Sequence, residues 1–266
     1  MIFVLGGFWL HPLTFVLAGL VILAGTQYEY LIMIRNTGVK PQLVPGMITG
    51  SASYLLATLI AAGILPVKFF LVLIPMMLLI MIVELYRRQE KPFDSLTHTF
   101  FSVLYTGIPL SMFPFAAFSR SGLDSILSHR LEMFSPGIII GFFLLIWAND
   151  TGAYLAGVSF GKHKLFERIS PKKTWEGFFG GVLLVVIVAW LLSSWLGVVG
   201  RTQWIIIALI VSVAGTYGDL IESMLKRSLG VKDSGNIMPG HGGFLDRFDS
   251  AIISFPLVYL FIALFG

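Results

Sequence analysis

The chain has 266 residues, of which 56% are hydrophobic and only 12% charged, with a mean hydropathy of +0.88 and a formal charge of +4. Roughly a quarter of an ordinary soluble domain is charged, so this composition excludes that class and indicates an integral membrane protein. The absence of cysteine excludes disulfides, thiolate catalysis and cysteine-ligated zinc or iron–sulfur centres.

The apolar runs are continuous rather than alternating. About 20 helical residues cross a hydrocarbon core of ~30 Å, so helices are expected rather than a barrel. Residues 1–10 are apolar but short, without the basic start and small-residue cleavage site of a signal peptide, and read as a partial ninth span or an interfacial segment. Full-length spans are expected at 12–34, 45–65, 67–86, 96–118, 135–158, 177–199, 203–221 and 248–265. The fold class is therefore all-α, a polytopic helical membrane protein with about eight to nine transmembrane helices, nine being the preferred count. A polar segment at 120–134 divides a charge-poor scaffold region, 1–120, from a motif-rich region, 121–266, that carries the candidate catalytic groups.

Assigned to alternate connections, fourteen Lys and Arg residues fall on one side: 35, 40, 87, 88, 91, 162, 164, 168, 172, 173, 226, 227, 232 and 247. Four fall on the other, at 68, 120, 130 and 201. The positive-inside rule makes the first side cytoplasmic. The two longest polar connections, 160–176 and 222–247, then face the cytoplasm together and can share one site. Glu29 and Glu84, near the ends of their spans beside Tyr28, Tyr30, Arg35 and Arg87, read as interfacial anchors.

Eight ionisable side chains crowd into residues 223–249, and such groups are costly near lipid unless a polar pocket holds them. Asp219, Glu222, Ser223 and Lys226 are spaced to share one helix face. Asp219 is expected at the C-terminal end of its helix, where it is either a metal ligand or a carboxylate paired with Lys226 or Lys232. The stretch from Lys232 to Gly243 is rich in glycine, which permits tight turns and close approach of main-chain N–H groups to a ligand. Lys226, Arg227 and Lys232 precede it; Asp246, Arg247 and Asp249 follow. Cationic phosphate-binding groups and carboxylates together suit triphosphate recognition. His241 reads as a phosphate donor, a proton carrier or an ordinary loop histidine. With no second histidine nearby and no cysteine, the ligand chemistry is that of a hard cation such as magnesium.

Asp150 lies within a hydrophobic run, four residues before Tyr154, as a functional acid or one held by Lys162 or Arg168. Ser170-Pro171 reads as an N-cap followed by Pro at the first helical position. Lys172 and Lys173 would then stand at the positive end of a helix, a placement that an anion would relieve.

Ser223, Lys226-Arg227, Lys232-Asp233, Pro239, His241-Gly242-Gly243, Asp246-Arg247 and Asp249 together resemble the signature of the phosphatidate cytidylyltransferases, the CDP-diacylglycerol synthases. Asp150 to Tyr154, Ser170 to Thr174 with Glu176-Gly177, and Gly218-Asp219 with Glu222-Ser223 are similar to further blocks of that family. The likeness covers roughly residues 145–250. It implies transfer of CMP from CTP to phosphatidic acid, with release of pyrophosphate and a requirement for Mg2+, a second cation being left open. It further implies a homodimer among membrane lipids in the plasma membrane, and no nucleic-acid partner. On this reading Asp219, Lys226 and Asp246 are catalytic, with Asp219, Asp246 and Asp150 as metal ligands. Ser170, Lys172, Lys173, Thr174, Ser223, Arg227, Lys232, His241, Gly242, Gly243 and Arg247 bind substrate. One alternative is a CTP-dependent polyprenol or lipid kinase, a group that resembles this family in part. Another is an ion-coupled transporter using Asp150 and Asp219, against which stand the gathering of charge on one face and the lack of inverted symmetry.

Overall fold

The computed structural model describes residues 2–118, 134–235 and 242–265. Within them, eight helices are long and apolar enough to cross a membrane. The N-terminal helix α1, Ile2–Leu10, has nine residues and extends about 14 Å, half a hydrocarbon core. The expected ninth span is thus a short helix beside eight long ones. The chain divides into two compact units, Met1–Pro136 with Asp233–Leu245, and Gly137–Lys232 with Asp246–Gly266.

The first unit is built from helices pinned by polar side chains. Helix α2, Pro12–Arg35, opens with His11 Nδ1 accepting the Leu13 amide at 3.1 Å and Pro12 at its first position. Helix α3 follows at Leu43–Ala61, and α4 at Leu73–Arg87 after a 3-10 turn, Val67–Val72. The next span is broken into α5, Pro92–Ser102, a π turn, Val103–Gly107, and the short α6, Ile108–Leu110, and α7, Phe113–Ala117. Pro109 has no N–H to give and would crowd the carbonyl four residues back, which accounts for the π turn at that point. Gln27 Nε2 donates to the Gly46 carbonyl at 2.9 Å and Ser102 Oγ at 3.0 Å, tying α2 to α3 and α5.

Glu29 and Glu84 correct the anchoring expectation. They are 2% and 3% exposed, buried inside the unit rather than placed at a wet interface. Glu84 Oε2 accepts from Gln42 Nε2 at 2.6 Å and from Arg87 Nη1 at 2.8 Å. A carboxylate in a dry interior is tolerable only when donors converge on it, and the sequence gives no sign of donors brought from distant positions.

In the second unit, α8, Gly137–Phe160, packs closely on α9, Trp175–Trp195. A Cβ on Gly152 would stand 2.7 Å from the Gly180 carbonyl oxygen, so this crossing requires glycine. Between these helices lies an antiparallel pair, β1, Lys164–Phe166, and β2, Ser170–Thr174. The helix start expected at Ser170 is therefore a strand. Thr174 is the true N-cap, its Oγ1 accepting the Gly177 amide at 3.1 Å, while Glu176 occupies the first turn. Glu176 also accepts the His163 amide and faces His163 Nδ1 at 2.6 Å, which fastens the start of the hairpin to α9.

Helix α10, Arg201–Ser228, runs 28 residues, so Asp219 lies more than two turns before its end and not at the C-terminus as expected. The last helix, α11, is Leu245–Phe265 with Pro256 inside it.

Candidate functional site

The chemistry-bearing residues of the second unit gather where α10 and α11 meet. Gly218 brings the helices together: a Cβ there would lie 2.6 Å from the Asp249 carbonyl oxygen and 3.0 Å from Ser250 Cα. Ser250 Oγ donates to the Gly215 carbonyl at 3.1 Å along the same seam. This close approach, combined with three-residue spacing on each helix, collects carboxylates from both.

Asp219, Glu222 and Asp249 each offer a ligand oxygen, and these oxygens lie within 4.8 Å of one another. Glu222 and Asp249 are 1% and 8% exposed. Two ionised carboxylates at 4.8 Å repel by about 3 kcal/mol at an effective dielectric of 20, so the group is poised to accept positive charge. Glu222 Oε1 is buried with no hydrogen-bond partner among the described residues. An orphaned buried carboxylate oxygen beside two further carboxylates fits a hard divalent cation.

Two lysines supply part of the compensation. Lys226 reaches Asp246 Oδ1 at 2.6 Å and also pairs with Glu222 one turn before it. Lys173, carried on β2, reaches Asp219 Oδ2 at 2.5 Å, and Ser223 Oγ donates to Asp219 Oδ1 at 3.2 Å. Of the candidate metal ligands, Asp219 therefore stands with Glu222 and Asp249, while Asp246 stands on Lys226. The sequence places Glu222 on the Asp219 helix face and Asp249 among the carboxylates after the glycine-rich stretch, but names neither as a metal ligand. Their share in the cluster depends on how α10 docks against α11, and no spacing within one helix encodes that.

A cavity of about 550 Å³ opens beside the cluster. Asp150, Lys172, Lys173, Thr174 and Asp219 line it with Asn149, Thr216 and Ser250, while Tyr154, Val158, Leu165 and Phe178 give it an apolar flank. Asn149 is held in place by Ser212 Oγ, which donates to its Oδ1 at 2.6 Å. Asp150 thus lines the same cavity as Lys173 and Asp219. The lining thus offers ammonium groups to a phosphate and apolar side chains to hydrocarbon.

The remaining sequence candidates sit more loosely. Ser170 is half-buried on β2; Arg227, in the last turn of α10, Lys232 and Arg247 are exposed. Gly242 adopts φ +79, the left-handed conformation for which glycine suits the turn, and Gly243 is buried in the first unit. His241 and Pro239 lie outside the described residues.

Comparison with known proteins identifies the family. The profile of the "Cytidylyltransferase family" matches residues 1–265. A phosphatidate cytidylyltransferase of Bacillus subtilis is 44% identical over 138 residues, 52% of this chain and 51% of that protein. One from Staphylococcus epidermidis is 41% identical over 169 residues, covering 60% of this chain and 65% of that protein. One from Staphylococcus aureus is 50% identical over 122 residues, covering 45% and 46%. The chain spans about half to two thirds of the length of these curated relatives. With the family profile matched along nearly all of its length, the chain belongs to the cytidylyltransferase family.

Proposed function

We propose that the chain is a phosphatidate cytidylyltransferase, transferring CMP from CTP to phosphatidic acid to give CDP-diacylglycerol and pyrophosphate. The observation that carries this reading is the cluster of Asp219, Glu222 and Asp249 beside a cavity lined by both lysines and apolar side chains. Relatives named for the same activity support it. The charge asymmetry of the connections supports a site on the cytoplasmic side of the plasma membrane, and the reading includes a homodimer, as the family resemblance implies.

A phosphatidate oxygen attacks the CTP α-phosphorus in line, the bond to the β-phosphoryl oxygen breaks, and pyrophosphate departs. The attacking phosphomonoester has a second pKa of ~6 and is already largely dianionic at neutral pH, so the protein needs no strong general base. Lys173 stands on the cavity wall, where its ammonium offsets phosphate charge. Lys172 lines the same wall and acts likewise. Lys226 holds Asp246 and Glu222 together and so fixes one edge of the carboxylate cluster. Asp219, Glu222 and Asp249 would hold Mg2+, whose contribution is to neutralise charge between two polyanions that otherwise repel. Tyr154, Val158, Leu165 and Phe178 give the glycerolipid an apolar surface at the cavity.

The test is purified full-length protein in detergent with CTP, phosphatidic acid and graded Mg2+. Release of pyrophosphate together with CDP-diacylglycerol, dependent on the cation and lost in Asp249→Asn, is the expected result. Absence of both products in folded protein, or full activity in Asp249→Asn, would overturn the reading or this residue's part in it.

A further inference from the structure

We propose that Glu29, on α2, is a positioning residue for the transfer site: it holds the two described ends of the segment 234–245 and thereby sets the start of α11, the helix that carries Asp246 and Asp249. The inference rests on the cytidylyl-transfer reading above for its effect on activity, but its geometry stands without it.

Three donors converge on this one carboxylate. The Phe244 amide donates to Oε1 at 2.8 Å, and the Leu245 amide and Ser234 Oγ donate to Oε2 at 2.9 Å and 2.8 Å. The partners are 205 to 216 residues away in sequence, so the contact fixes a long chain excursion rather than local structure. Leu245 is the first residue of α11, and its N–H is one of the four at a helix start that lack a partner within the helix. Glu29 supplies that partner from another helix, and its negative charge is favoured at this end of the helix dipole.

Packing at the contact is as specific as the hydrogen bonding. A Cβ on Gly243 would lie 2.1 Å from Ser234 Oγ and 2.2 Å from Glu29 Oε2, so only glycine lets the backbone at 243 come this close to Ser234 and the carboxylate. On α2, one turn before Glu29, a Cβ on Gly25 would lie 2.6 Å from Phe244 Cγ, and the missing side chain makes the seat for the Phe244 ring. An interfacial anchor would need none of these features. A buried carboxylate that takes two backbone amides and a hydroxyl from one distant segment is built to hold that segment. From Leu245, α11 continues without a break into Asp246 and Asp249, so a shift at its first turn displaces both carboxylates.

Glu29→Gln preserves shape but turns an amide NH2 toward N–H donors, leaving at least one of the three without an acceptor. Losing one charge-assisted bond corresponds to roughly 10- to 100-fold. In full-length protein, kcat/KM for CTP should fall by about that factor. Amide exchange at Phe244 and Leu245, read by mass spectrometry, should accelerate by a comparable factor while exchange in α3 stays unchanged. Ser234→Ala, which removes one donor and keeps both amides, should move both readouts in the same direction by a few-fold. It also carries the test should Glu29→Gln fail to fold. Unchanged exchange at Phe244 and Leu245 with unchanged kcat/KM overturns the proposal. So does a loss of activity that only tracks the amount of folded protein, with KM and local exchange as in the wild type. A wild-type chain with no cytidylyl transfer refutes the functional reading instead, and the exchange measurement still decides the clamp.

Discussion

Lys226 bridges two carboxylates, and replacing it by methionine isolates what that bridge contributes. The side chain is 14% exposed, with Glu222 at 1% and Asp246 at 14%, so solvent screens the contacts little. Lys226→Met keeps the aliphatic stem and its packing but deletes two charge-assisted hydrogen bonds, each worth about 1.5–3 kcal/mol. It also leaves Glu222 and Asp246 facing each other unneutralised; breaking a buried pair in this way costs about 3–5 kcal/mol. At 2–4 °C per kcal/mol for a chain of this size, the melting temperature in detergent should drop by roughly 6–20 °C. The double variant Lys226→Met with Glu222→Gln removes one of the two stranded charges and should recover about 1–3 kcal/mol. Thermal unfolding by intrinsic fluorescence, paired with size-exclusion profiles to verify folded protein, reads both effects. A Lys226→Met protein melting within a degree of wild type, or a double variant whose loss is the plain sum of its parts, would refute this account of the bridge.

Other expectations concern the same seam. Asp219→Asn removes the acceptor of Lys173 and one carboxylate of the cluster, so turnover should fall by about a hundredfold or more in protein that still elutes as a folded species; retained activity removes Asp219 from the site. Gly218→Ala would drive a methyl into the backbone of α11, and overpacking of this kind costs about 1–3 kcal/mol, so a lowered melting temperature with lowered activity is expected and wild-type behaviour would contradict the close crossing.

The helical spans were legible because hydropathy and length decide them directly: span ends expected at 34, 86 and 158 fall within two residues of the ends of α2, α4 and α8 at Arg35, Arg87 and Phe160. The shared face of Asp219, Glu222, Ser223 and Lys226 followed from helical periodicity, which a single element encodes. What required tertiary structure stayed hidden. Ser170-Pro171 carries local cap chemistry, yet pairing with Lys164–Phe166 draws the segment into a strand, and the cap moves to Thr174. Lys173 as the partner of Asp219, Asp249 as a neighbour of Glu222, and Glu29 as the acceptor for Phe244 and Leu245 all join residues on different helices or strands. For Glu29 the only trace in sequence was an acid inside a hydrophobic run, and that pattern does not distinguish an interfacial anchor from a buried acceptor.

The central claim is that the nucleotide's α-phosphoryl group goes to the lipid. Purified protein given CTP labelled at the α-phosphorus in one reaction and at the γ-phosphorus in another, with phosphatidic acid and Mg2+ in both, tests it most directly. The α label should appear in the organic phase as CDP-diacylglycerol and the γ label in aqueous pyrophosphate. A γ label recovered in lipid, with CDP left in water, would identify a CTP-dependent kinase and contradict the account.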